Sequence, residues 1–187
     1  MAAVTQNRDA LIGTHSGVPS EHMFVLGIDP GLTRTGYGII ESVSGSERAI
    51  AAGVIRTDPT VSSSFRLLEL RHDIEGVLDD FPIDAAAIEQ VFVNRNRGTA
   101  IAVARASGVV MSTLADRGVD VGEYSPSQMK MTITGAGNAD KDQIEAVLKM
   151  RLGLGSISGP ADVSDALGIA LCHIQHLGSV RAVATAK

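Results

Sequence analysis

The chain has 187 residues, 44% hydrophobic and 20% charged, with 21 acidic against 16 basic side chains and a net charge of -5. These values exclude collagen-like and disordered chains and suit one globular domain with a core, which must be aliphatic because aromatics are only 3%. A single cysteine, Cys172, excludes an internal disulfide and predicts a reducing, cytoplasmic setting; no apolar run reaches the roughly 18 residues of a membrane span, and the acidic balance argues at first against nucleic acid.

Residues 1–22 lack periodicity and the basic and apolar regions of a signal peptide, so they are predicted to be a flexible N-terminal extension. From Met23 the apolar run MFVLGI predicts a strand buried on both faces, broken by Asp29-Pro30-Gly31. Residues 36–43 and 48–56 predict two further strands, with Ser44-Gly45-Ser46 between them, which gives an antiparallel meander. A helix follows. Ser62 to Ser64 offer N-caps, Leu67, Leu70, Ile74, Val77 and Phe81 recur at helical spacing, and Phe81-Pro82 closes it.

Residues 84–89 (DAAAIE) suit a helix by propensity alone, but their place between two helices and the following VFV favour a buried strand. The spacing predicts a helix over 97–116, where Ala100, Ala104 and Gly108 lie four apart and form a small-residue face for close packing. Residues 119–124 predict a fifth strand. Helices near 126–132, 140–151 and 161–178 follow, then a short tail over 179–187. This order implies an α/β fold, a mixed five-stranded sheet with helices on both faces.

Four carboxylates stand out. Asp29 lies where the first buried strand stops, and open α/β sheets place ligands at the carboxyl ends of strands. Glu89 ends the other buried strand, where an ionised side chain is costly unless paired or bound to metal. If the two strands are neighbours, these like charges lie side by side and repel unless a cation joins them. Asp162 and Asp165, three apart, project from one face of the first turn of the last helix. Acidic residues also favour helix N-termini for capping and dipole reasons, so this pair alone has two readings. Without a convincing His or Cys cluster, hard oxygen donors favour Mg²⁺ or Mn²⁺. Two such ions roughly 4 Å apart are an arrangement that hydrolyses phosphodiesters.

The segments LGIDPGLTRTGYGII, AIEQVF, EYSPSQMKMTITGAGNADK and ADVSDALGIALCHI, in this order over about residues 23–178, resemble the RuvC family of Holliday-junction resolvases. The resemblance implies an RNase H-like fold, a homodimer, and cleavage of four-way DNA junctions in recombination and repair. It implies two Mg²⁺ ions per subunit, with Mn²⁺ as a substitute, held by catalytic residues at Asp29, Glu89, Asp162 and Asp165. It also implies cooperation with the branch-migration proteins RuvA and RuvB.

The aromatic that this family places after the catalytic Glu falls on Phe92, which reads either as a core residue or as a wedge against an unpaired base. Arg95 and Arg97 follow in an acid-free stretch, and Lys130 and Lys141 match lysines expected near the scissile phosphate. The helix over 97–116 is the expected dimer contact. Three alternatives share parts of the pattern. The Asp29 loop also resembles a phosphate loop of actin-like ATPases, which need a second domain. A YqgF-type RNA nuclease is another, and a non-catalytic DNA-binding module the last. Setting the four carboxylates aside leaves 17 acidic against 16 basic residues, so the charge that argues against nucleic acid is largely the catalytic centre.

Overall fold

The computed structural model describes residues 22–91 and 97–185. The elements run β1 (His22–Asp29), β2 (Arg34–Val43), β3 (Ser46–Arg56), α1 (Ser63–Asp80), β4 (Ala85–Glu89), α2 (Arg97–Asp116), β5 (Val121–Tyr124), α3 (Pro126–Thr134), α4 (Lys141–Leu152) and α5 (Ala161–Thr185). The strands form one mixed sheet in the order β3-β2-β1-β4-β5. The first three pair antiparallel, while β4 joins β1 and β5 in parallel. The mixed five-stranded sheet expected above is therefore present.

Side chains alternate between faces along each strand, and this alternation sorts the core into two layers. Leu26, Ile28, Ala86 and Ile88 pack with Leu70 and Ile74 of α1 and Ala106, Val110 and Leu114 of α2. Met23, Val25 and Ala87 face the other way and pack with Met129 and Ile133 of α3, Ile144 and Leu148 of α4, and Leu167 and Leu171 of α5. Leu26, Ile28, Ile88, Leu167 and Leu171 are fully buried, so trimming any one to Ala costs about 2–5 kcal/mol.

The Ala-rich segment is indeed a strand. Ala86 to Ile88 pair on both sides, with β1 and β5, and that pairing overrides helix propensity. Several boundaries differ from expectation. β5 is shorter, beginning at Val121, and α5 runs past Gly178 to Thr185. Ser62 occupies the N-cap position of α1, but its side chain makes no capping bond. Helices α3 and α4 do carry full capping boxes, Ser125 with Gln128 and Asp140 with Gln143. Contrary to the sequence reading, among the described residues one helical stretch, Gly98–Asp116, is long and apolar enough to cross a membrane by length and composition alone, with a mean hydropathy of 1.3. It packs Ala106, Val110 and Leu114 into the core and leaves Ile101, Ala104, Arg105 and Gly108 exposed.

Candidate active site

The alternation that sorts the core also aims the carboxylates. Asp29 continues the Met23 and Val25 series, and Glu89 continues that of Ala87, so both point to the α5 side of the sheet. The parallel register of β1 and β4 matches Ile28 with Ile88, which sets Asp29 beside Glu89 at the carboxyl ends of the two strands.

Helix α5 supplies the other pair because two glycines let it lie directly on the sheet. A Cβ at Gly27 would stand 2.1 Å from the Ala166 carbonyl oxygen, and one at Gly36 would stand 2.1 Å from that of Asp162. Gly36 is itself the β2 partner of Asp29, so the first turn of α5 seats over the end of β1.

The electrostatics register this convergence. Burial, then the charges of Glu89, Asp165 and Asp162, push the Asp29 carboxyl up to about 7. Burial and the Asp165 charge raise Glu89 above the ordinary carboxylate range. Burial also raises Asp165, against the opposing pull of Lys141 and Lys130. Lys141, the first residue of α4, places Nζ 3.7 Å from Asp165 Oδ2. Lys130 is half-buried on α3 and acts on Asp165 through its charge. Of the expected nucleic-acid contacts, Phe92 and Arg95 lie outside the described residues. Arg97 opens α2, and its side chain lies outside the description too.

Sequence reasoning missed four residues around the Asp29 loop: Arg34, Arg66, Thr33 and Thr57. Arg34 Nε stands 3.6 Å from Asp162 Oδ2. The buried Arg66 of α1 donates to Thr33 Oγ1 at 2.7 Å and to Thr57 Oγ1 at 2.9 Å. Thr57 in turn donates its hydroxyl to the Leu32 carbonyl. Arg34 was legible in principle, as a base opening the strand that pairs with β1. Arg66 was not, because its contacts span 33 residues.

Among the described residues, no histidine joins this centre. His173 is buried, with Nδ1 2.8 Å from the Tyr124 hydroxyl, and burial pushes it down to about 4. His176 packs edge-on to the same Tyr124 ring, and His72 is exposed on α1.

Hard carboxylate oxygens whose mutual charge raises one another's pKa fit divalent cations, which relieve that repulsion. Among the described residues, no three such side chains converge tightly enough to enclose an ion on their own.

Comparison with known proteins identifies the family. A family model described as Crossover junction endodeoxyribonuclease RuvC matches residues 25–173. A protein of that name from Caldicellulosiruptor saccharolyticus is 45% identical over 159 residues, covering 84% of this chain and 96% of the relative. One from Paramagnetospirillum magneticum is 40% identical over 164 residues, covering 88% and 98%. The structure of T. thermophilus RuvC in complex with Holliday junction substrate matches with a TM-score of 0.78 at 34% identity, covering 83% of this chain and 94% of that one. The yeast mitochondrial Holliday junction resolvase Ydc2, with a TM-score of 0.61 at 13% identity, shares the fold. With its RNase H-like sheet, its strand-end carboxylates and these relatives, the chain belongs to the RuvC family of crossover junction endodeoxyribonucleases.

Proposed function

We propose that this chain resolves four-way DNA junctions as a homodimer, with Asp29, Glu89, Asp162 and Asp165 holding two Mg²⁺ ions, or Mn²⁺ in their place. The observation that carries the proposal is geometric: Asp29 and Glu89 stand side by side at two strand ends beneath the first turn of α5, and this crowding pushes the Asp29 carboxyl up to about 7. Like charges gathered at two strand ends cost stability unless a cation is their partner. When bound, divalent ions polarise the scissile phosphate and lower the pKa of the attacking water.

The chain's own groups do the rest. Lys141, exposed and 3.7 Å from Asp165, neutralises part of the cluster and turns to a phosphate oxygen when DNA arrives. Lys130 supports it from α3. The rigid ends of β1 and β4 hold Asp29 and Glu89 in place, so little reorganisation is needed at the moment of reaction. Phe92, Arg95 and Arg97 complete the DNA contact, Phe92 by stacking on an unpaired base.

Of the expected small-residue face of α2, Ala100 is buried in the core, while Ala104 and Gly108 are exposed beside Ile101, and in this proposal that exposed face is the dimer contact. A two-fold dimer on a two-fold junction then nicks two strands of like polarity symmetrically. The reaction belongs to cytoplasmic recombination and repair, alongside RuvA and RuvB. In this proposal the nuclease domain runs from β1 to the end of α5. The test compares cleavage of a four-way junction with a linear duplex in Mg²⁺. Junction-selective cleavage, lost in Glu89→Gln while junction binding persists, is expected. Normal cleavage by Glu89→Gln would remove the metal assignment.

A further inference from the structure

A cleft of about 430 Å³ lies between the β1–β2 loop and the first turns of α2, opens beside Asp29 and Asp162, and is lined by Thr33, Arg34 and Gly98. Behind it stands a buried positive charge. Arg66 is only 9% exposed; among the described residues it makes no ion pair, and Asp58 faces it only through its charge. A buried guanidinium ordinarily takes an acidic partner, yet this one donates to two neutral hydroxyls, Thr33 and Thr57.

The two hydroxyls differ in what they do with their own protons. Thr57 donates its hydroxyl to the Leu32 carbonyl. Thr33 Oγ1 accepts from Arg66, and its proton has no acceptor among the described residues. Thr33 is therefore a donor backed by a full positive charge, and it lines the cleft. Arg34 beside it adds a guanidinium. Its 3.6 Å pair with Asp162 is 54% exposed on the Arg34 side. Exposed pairs of this kind contribute little and exchange readily. On the far side of the carboxylates, Lys141 and Asp165 border a second, smaller cleft of about 200 Å³. Cationic groups thus flank the acidic centre on both sides.

We propose that the Thr33–Arg34 cleft holds a non-scissile backbone phosphate of the DNA strand being cut, with Arg66 as the positioning residue that turns the Thr33 hydroxyl toward it. The proposal rests on the junction-cleaving function above and adds a subsite to it. Two donors and one anion fix the strand's register without reading its sequence, as phosphate contacts do.

The test uses the full chain and synthetic four-way junctions that each carry one uncharged methylphosphonate near the cut, with binding followed by fluorescence anisotropy in EDTA. One non-scissile position should weaken wild-type binding about ten-fold. Arg34→Gln should bind the unmodified junction about ten-fold more weakly and be indifferent to the substitution at that position, with a salt slope lower by about 0.9 per subunit. Thr33→Val, close to isosteric and lacking only the hydroxyl, should lose a smaller part of the same penalty at the same position. Arg66→Lys keeps the charge without the fork, and should match Thr33→Val there while leaving other positions unchanged. Folded Arg34→Gln and Thr33→Val proteins with the wild-type methylphosphonate profile would overturn the cleft assignment alone. A wild-type protein that binds junctions no better than linear duplex would overturn the parent function with it.

Discussion

Replacing Asp29 by Asn should stabilise the metal-free protein while ending its activity. The folded carboxyl titrates at about 7 against an ordinary 3.8, so the fold favours the protonated form. Between these values the folded state holds a proton that the unfolded chain releases, and stability therefore falls as pH rises through that window. The interval is about 3 pH units, which corresponds to about 4 kcal/mol lost by pH 8, of which about 2–3 kcal/mol accrues above pH 5. Water reaching the open side of the site trims this figure, so a measured gain of about 2–3 kcal/mol for Asp29→Asn at pH 8 is expected. Urea unfolding in EDTA at pH 5 and pH 8 reads it directly. The wild type should weaken over that interval and the variant much less. Added Mg²⁺ should restore the wild type and leave the variant unmoved. An Asp29→Asn protein no more stable than wild type at pH 8 in EDTA would refute the crowding of charge at this strand end.

Three further outcomes follow from the same geometry. Gly36→Ala places a methyl group 2.1 Å from the Asp162 carbonyl oxygen, so it should cost about 3 kcal/mol or more in urea unfolding and abolish cleavage by lifting the first turn of α5. Lys141→Gln removes a charge that lowers the Asp165 pKa, so the rising limb of the pH–cleavage profile should move to higher pH; an unmoved limb would uncouple the two residues. Tyr124→Phe leaves the buried His173 Nδ1 without its partner and should cost about 1–3 kcal/mol by chemical denaturation, while in the wild type His173 should stay neutral by NMR down to pH 5.

Much of the fold was legible because it rests on local signals. The MFVLGI run, the break at Pro30 and the spacing of Leu67, Leu70 and Ile74 all mark their elements directly. The segment Ala85–Glu89 was harder, since its alanines prefer a helix and only pairing with β1 and β5 makes it a strand. The last helix was expected to end near 178, yet α5 continues through Gly178 to Thr185, because an interior glycine costs a helix only about 1 kcal/mol.

The site divides along the same line. The carboxylates announce themselves as charges at the ends of apolar runs, and the period-two alternation brings Asp29 and Glu89 to one face. What brings the first turn of α5 down onto them is Gly36, whose role appears only when sheet and helix are seen together. Arg66 and Thr33 are equally silent in sequence. A helical arginine reads as solvated surface, and only the packing of α1 shows that it is buried against the Asp29 loop.

The most direct test of the central claim is to map the nicks that the full chain makes in a mobile four-way junction with Mg²⁺. Paired nicks at symmetric positions in two strands of like polarity, absent from linear duplex and from Asp29→Asn, are the expected result. Equal cutting of linear duplex, or unimpaired paired nicking by Asp29→Asn, would contradict it.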